Sequence, residues 1–160
     1  MLSNEAVARA FACRESAKAG HFFTNGNTIW SYGEHFPVAR WVEGVVLFNS
    51  NGYSQTTSRH KSLVLFALSV GHNIFTVPHI CERLPDNVSY YAGKALGFLE
   101  SAANARSRKT EYLECAVTTL AEGRRYCEHF GFNPAPLTAI PEDAREAVLY
   151  ACALKNNAGR

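Results

Sequence analysis

The run Tyr53-Ser54-Gln55-Thr56-Thr57-Ser58-Arg59-His60-Lys61-Ser62 sets hydroxyls, a guanidinium, an imidazole and an ammonium directly ahead of the apolar stretch Leu63-Val64-Leu65-Phe66-Ala67-Leu68. A polar run followed by a solid apolar one predicts a helix start, here a helix over 58–70. Thr57 or Ser58 is its expected cap, because a side-chain oxygen there accepts from the free N–H groups of the first turn. Arg59 and Lys61 then face the positive end of the helix dipole, where an exposed cation costs about 0.3–1 kcal/mol. An anion would reverse that cost, so Thr56, Thr57, Ser58, Arg59, His60 and Lys61 are candidates for holding a phosphate or a partner carboxylate. The structural alternative is a hydroxyl-rich strand end and cap, with Arg59 paired to Glu34 or Glu43. The apolar stretch shows no polar face, so the helix should be buried through its middle, its start emerging beside a strand at Tyr53.

Nucleophilic and metal chemistry find less support. His60 lies near Ser54, Ser58 and Ser62, but a triad needs a carboxylate to orient the histidine, and no Gly-x-Ser-x-Gly elbow occurs. Cys81 and His79 sit two apart after Pro78, a spacing that specifies no dyad. The histidines form no His-x-His or His-x-x-x-His pair and the cysteines no Cys-x-x-Cys, so neither a metal nor a cofactor is expected. No residue is assigned a catalytic role.

Two further groups could bind a partner. Trp30, Tyr32, Phe36 and Trp41 could form a stacking platform for nucleic-acid bases. Trp30 and Tyr32 point to the opposite sheet face from Ile29; the structural alternative is that this aromatic face is the core face against the helices, whereas an inward Ile29 would place them, with Arg40, outside. Arg106, Arg108 and Lys109 form a basic loop, with Arg124-Arg125 on the next helix. The alternative is a solvated face on which Glu111, Glu114 and Glu122 pair with those cations.

The elements that must position these residues fall into two stretches. A helix over 4–19, capped by Ser3 or Asn4, is stopped by Gly20. Asn25-Gly26 marks a hairpin between strands at 22–24 and 27–32. Strands at 37–41 and 45–49 follow, separated by Glu43-Gly44, and 74–77 is short and β-prone. After Pro85 the sequence turns helical. Asp86 caps a helix with the stripe Val88, Tyr91, Ala92, Ala95, Leu96 and Leu99. Thr110 caps the next, with Leu113, Ala116, Val117, Leu120 and Ala121, and Pro141 opens a last one. The expected fold class is α+β: residues 1–84 form an antiparallel meander with helices, and residues 85–160 a helical hairpin and terminal helix packed on it as one compact domain.

Composition sets the outer bounds. The 160 residues carry a net charge of +2, with six Lys/Arg against four Asp/Glu in residues 1–80 and ten against ten in 81–160. A dedicated duplex-binding protein concentrates positive charge on one stretch, and this chain does not. No apolar run reaches the roughly 18 residues that span a bilayer, so no membrane partner is expected. Five scattered cysteines fit a reduced, cytoplasmic protein, inside the host cell.

Ser31-Tyr32-Gly33 with Pro37 and Ala39, followed by Tyr53-Ser54-x-Thr56-Thr57-Ser58-x-His60, resembles a widespread family of small uncharacterised proteins encoded by phages, prophages and plasmids. The resemblance covers most of the chain, including the opening helix and the charged helices around Tyr112 and Tyr126. It implies a genomic habitat and transfers no catalytic residue. Genes of that habitat often encode proteins that disable host machinery. The leading expectation is therefore a non-enzymatic mobile-element protein that binds a host protein or nucleoprotein complex, as a counter-defence inhibitor such as an anti-CRISPR does. A nucleic-acid-binding protein is the alternative, and an enzyme or phosphate binder built on 56–62 the third reading.

Overall fold

Helix α1 (Asn4–Ala12) opens where Ser3 Oγ accepts the Ala6 N–H at 3.2 Å in the computed structural model, which describes residues 1–159. The helix ends seven residues before the expected Ala19. Arg14 takes a left-handed φ of 59°, and its N–H donates to the Phe11 carbonyl at 3.0 Å while the Glu15 N–H donates to Ala10 at 2.8 Å. That is a helix stop usually made with glycine. Arginine holds it here with its guanidinium 4.3 Å from the centre of the Trp41 ring. The residues after it form an unexpected strand, β1 (Ser16–Ala19).

The sheet then runs β2 (Phe22–Asn25), β3 (Thr28–Ser31), β4 (Phe36–Val42) and β5 (Val45–Asn49), each antiparallel to the one before it. Gly26 turns β2 into β3 at φ +89°, and a Cβ there would stand 2.6 Å from the Arg14 carbonyl oxygen. Glu43 and Gly44, at φ 48° and 81°, supply the two left-handed residues of a twist-matched two-residue hairpin. The sixth strand differs. β6 (Ile74–Val77) pairs with β5 in parallel, which a tight turn cannot achieve, and helix α2 (Gln55–Leu68) makes the crossover.

One sheet face forms the core with the two helices. Phe22, Ile29, Ala39, Trp41, Val46 and Phe48 cluster with Val7, Ala8 and Phe11 of α1 and with Val64 and Leu68 of α2. Burying an apolar side chain of this size contributes about 1.5–3 kcal/mol. Helix α2 gives that core a narrow stripe: Thr57, His60, Val64 and Leu68 are buried, whereas Leu65 is 41% and Phe66 83% exposed. The expectation of a helix buried through its middle is therefore corrected. Two other expectations change with it. The cap is Ser54, three or four residues earlier than expected, and Tyr53 lies in a loop rather than a strand.

The chain divides into two compact units, Met1–Leu84 and a second beginning at Pro85. The second holds α3 (Asn87–Asn104), α4 (Lys109–Phe130), the one-turn α5 (Ala135–Thr138) and α6 (Ala144–Ala158). Helices α3 and α4 close on each other at Gly123, where an added Cβ would meet Tyr91 Cβ at 2.9 Å. Two starts move from their expected places. Arg108, not Thr110, stands at the α4 cap position, and Asp143, not Pro141, opens α6 by accepting the Glu146 N–H at 2.7 Å. The architecture is α+β: a predominantly antiparallel sheet with helices, then a helical part. Among the described residues no helix is long and apolar enough to cross a membrane.

Candidate binding surface at the start of helix α2

Ser54 organises the helix start. Its Oγ accepts the Thr57 N–H at 3.1 Å and donates to Thr57 Oγ1 at 3.1 Å, so cap and first turn share one hydroxyl pair. Thr57 points inward, fully buried, and its Oγ1 lies 3.2 Å from Ser31 Oγ on β3. Ser31 in turn reaches His60 Nδ1 at 2.8 Å. The imidazole stacks on Phe22 of β2, ring centres 4.1 Å apart and planes 12° from parallel, and its Nε2 lies 3.5 Å from Asn4 Nδ2 on α1. A polar chain thus joins α1, β3 and α2, with its imidazole stacked on β2. Burial holds the His60 pKa below its ordinary 6.5, favouring the neutral ring.

This network decides the chemistry available. Ser31 and His60 are at nucleophile–base distance, yet Ser31 is fully buried and His60 is 7% exposed. Ser31 also sits between two partners, so it is a structural link rather than a hydroxyl offered to a substrate.

The remaining candidates on the helix start face outward. Ser58 Oγ donates to the Ser54 carbonyl at 3.0 Å, and Thr56 is exposed. Lys61 Nζ donates to the Asn51 carbonyl at 2.8 Å and lies 5.3 Å from the Phe48 ring centre, which ties down the loop before the helix. Arg59 is exposed and has no ion pair with a described carboxylate, so the expected pairing to Glu34 or Glu43 is absent. Ser54 takes the Thr57 amide, so one first-turn donor is withdrawn from the anion reading.

Above the network lies an aromatic rim. Tyr32, next to Ser31, is 40% exposed, and Tyr53, next to Ser54, is 66% exposed. Their ring centres are 6.0 Å apart; Phe36 lies 5.6 Å from Tyr53 and His21 stacks on Tyr32 at 6.4 Å. Tyr32 holds its place at φ 61°, ψ 49°, a left-handed conformation that costs a non-glycine residue. The segments Ser31-Tyr32 and Tyr53 to His60 therefore meet here: the first supplies the Ser31 hydroxyl and Tyr32, the second the Ser54 and Thr57 hydroxyls, His60 and Tyr53.

The aromatic platform is divided instead. Ile29 is buried, Trp30 is half-buried and stacks on Phe23 at 5.1 Å, and Arg40 is held by the Cys81 carbonyl at 3.0 Å. Trp41 is only 9% exposed and donates its indole N–H to the Phe11 carbonyl at 3.0 Å. It is a core residue, and its place among the binding candidates is corrected. In the second unit Arg108 pairs with Glu111 at 2.7 Å and Arg125 with Glu122 at 3.6 Å, while Lys109 Nζ is 3.9 Å from Cys152 Sγ and Arg106 is exposed. Within the loop itself it is Arg108 that meets a carboxylate, in an exposed pair of small worth.

Sequence reasoning placed Thr57, His60 and Tyr32 among the candidates but missed Ser31, Ser54, Tyr53, Phe22 and Asn4. The signal was the pairing of two motifs 22 residues apart, Ser31-Tyr32 and Tyr53-Ser54, whose matching hydroxyl–tyrosine neighbours announce a common destination. Comparison with known proteins finds no matching family model, no matching curated protein and no matching solved structure.

Proposed function

We propose that this chain is a mobile-element binding protein that docks on a host macromolecule through the Tyr32–Tyr53 rim, with inhibition of a host defence complex as its concrete role. The observation that carries the docking reading is the exposure of two neighbouring tyrosines, one in a strained backbone conformation, over a fully engaged polar network. Tyrosine suits such a surface: a large rigid ring with a polar tip and few rotamers to order, which is why it is enriched among interface anchors. The phage-like resemblance supports the host side of the reading, because its two motif segments supply both rings.

The test compares the wild-type chain with Tyr32→Ala/Tyr53→Ala in pull-downs from host lysate, followed by reconstitution with the purified partner. A defined complex that forms with the wild type and weakens at least tenfold in the double variant is expected. Capture that is indifferent to both substitutions would remove the rim from the interface. An active phosphate-dependent turnover by the purified chain would move the reading to an enzyme.

A further inference from the structure

We propose that Cys152 and Lys109 form a self-acylation site for small acyl thioesters, in which the Cys152 thiol captures the acyl group and the Lys109 amine keeps it. The two residues lie 43 positions apart in the chain, and the packing of α6 on α4 brings Lys109 Nζ to 3.9 Å from Cys152 Sγ. Both stand on helices: Lys109 is the first residue of α4, and Cys152 follows the buried Ala151 on α6. Cys152 is exposed and Lys109 half-buried, so a reagent from solvent reaches the sulfur. Other lysines are placed differently. Lys18 lies over the Phe23 ring, Lys61 donates to the Asn51 carbonyl and Lys94 lies over the Tyr90 ring. Cys13, Cys81 and Cys115 are exposed too, yet among the described residues Lys109–Cys152 is the contact between an amine and a thiol.

Each nucleophile supplies what the other lacks. A thiolate attacks a thioester readily but yields only another thioester. An amine attacks slowly from solution but forms an amide, which the thiol does not reverse. In the first step the Cys152 sulfur bonds to the acyl carbon and the donor's carbon–sulfur bond breaks; the donor leaves as a thiol, with the proton that Cys152 gave up. In the second, Lys109 Nζ, having lost its ammonium proton to water, bonds to the same carbon as the bond to Cys152 Sγ breaks. The proton shed by the nitrogen restores the Cys152 thiol. Contact between the two groups makes this second step intramolecular, which is where a positioned pair gains over a free lysine. The product also removes a misplaced charge, since a cation on the first residue of a helix opposes the dipole and an acylated lysine is neutral. Arg108, beside it, pairs with Glu111 and stays charged.

Nothing in the transfer depends on the docking proposed for the tyrosine rim. The experiment incubates the full chain with acetyl-coenzyme A near pH 8, strips thioesters from half of each sample with hydroxylamine, and quantifies acetylation at every lysine by mass spectrometry. Lys109 should gain hydroxylamine-resistant acetyl roughly tenfold faster than Lys18 and Lys94, and should fall to their rate in Cys152→Ala. That variant replaces an exposed side chain with the best helix former, so the fold is kept. In Lys109→Arg the acetyl group should instead stay on Cys152 as a hydroxylamine-sensitive adduct. Lys155, also on α6, is the internal rival. Transfer to Lys155 rather than Lys109, equal rates at Lys109 and Lys18, a Lys109 rate unchanged in Cys152→Ala, or no labile acetyl on Cys152 in Lys109→Arg overturns the assignment.

Discussion

Ser54 and His60 do different work on one hydrogen-bonded chain, and substitution separates them. Ser54→Ala removes the acceptor of the Thr57 N–H and the donor to its hydroxyl. Loss of a cap of this kind costs about 1 kcal/mol, within a range of about 0.5–2. Urea unfolding should show it as a lower midpoint at constant slope. His60 governs how stability depends on pH. Its folded pKa lies below the ordinary 6.5, because burial disfavours the charged ring, so the unfolded chain takes up the proton first. The stabilisation is complete above pH 6.5 and declines as the pH falls from there through the folded value. Urea midpoints at pH 7.5 and 5.5 should therefore differ more for the wild type than for His60→Gln. Equal differences would show that other groups carry the acid sensitivity.

At the scale of elements, glycine positions give opposite expectations. Gly26→Ala should destabilise the first unit by well over 1 kcal/mol, since φ is +89° and the Cβ would lie 2.6 Å from the Arg14 carbonyl oxygen. Gly123→Ala forces Tyr91 and Leu137 apart and should cost about 1–3 kcal/mol, whereas Gly97→Ala, with open space around it in α3, should stabilise by roughly 0.5–1 kcal/mol. Thermal melts of the three variants rank them. These elements also show what the sequence reveals. Asn25-Gly26, Glu43-Gly44 and Gly131 announced their turns because each carries a glycine where the backbone goes left-handed. The end of α1 was illegible because Arg14 makes that turn, held by stacking on Trp41, a partner 27 residues away. The parallel partner of β5 and the exposed middle of α2 were hidden for a related reason: both depend on which face a neighbour covers, which an apolar run does not encode. Of the site, the polar helix start was readable; its link to Ser31 was not, because it joins residues 26 and 29 positions apart between a strand and the helix packed on it.

For the molecule as a whole, the balanced charge leaves no strong field to steer a polyanion, which favours the proposed docking through the tyrosine rim over the nucleic-acid alternative. The thiols offer a global check on the fold. Cys13, Cys81, Cys115 and Cys152 are exposed and Cys127 is buried, its thiol pKa raised by desolvation. A thiol-reactive chromophore should label Cys13, Cys115 and Cys152 first, Cys81 more slowly because burial raises its thiol pKa too, and Cys127 only as the second unit opens. Five equally fast thiols would mean that α4 is not seated as described. The backbone at Tyr32 carries a consequence for how such a chain evolves. A left-handed tyrosine holds about 1 kcal/mol or more in strain that glycine or asparagine would release. Libraries sorted only for folding should therefore drift to Tyr32→Gly or Tyr32→Asn, while libraries sorted for the proposed docking should keep the ring. A divergence between the two pools at that single codon would mark the ring as kept for binding rather than for folding.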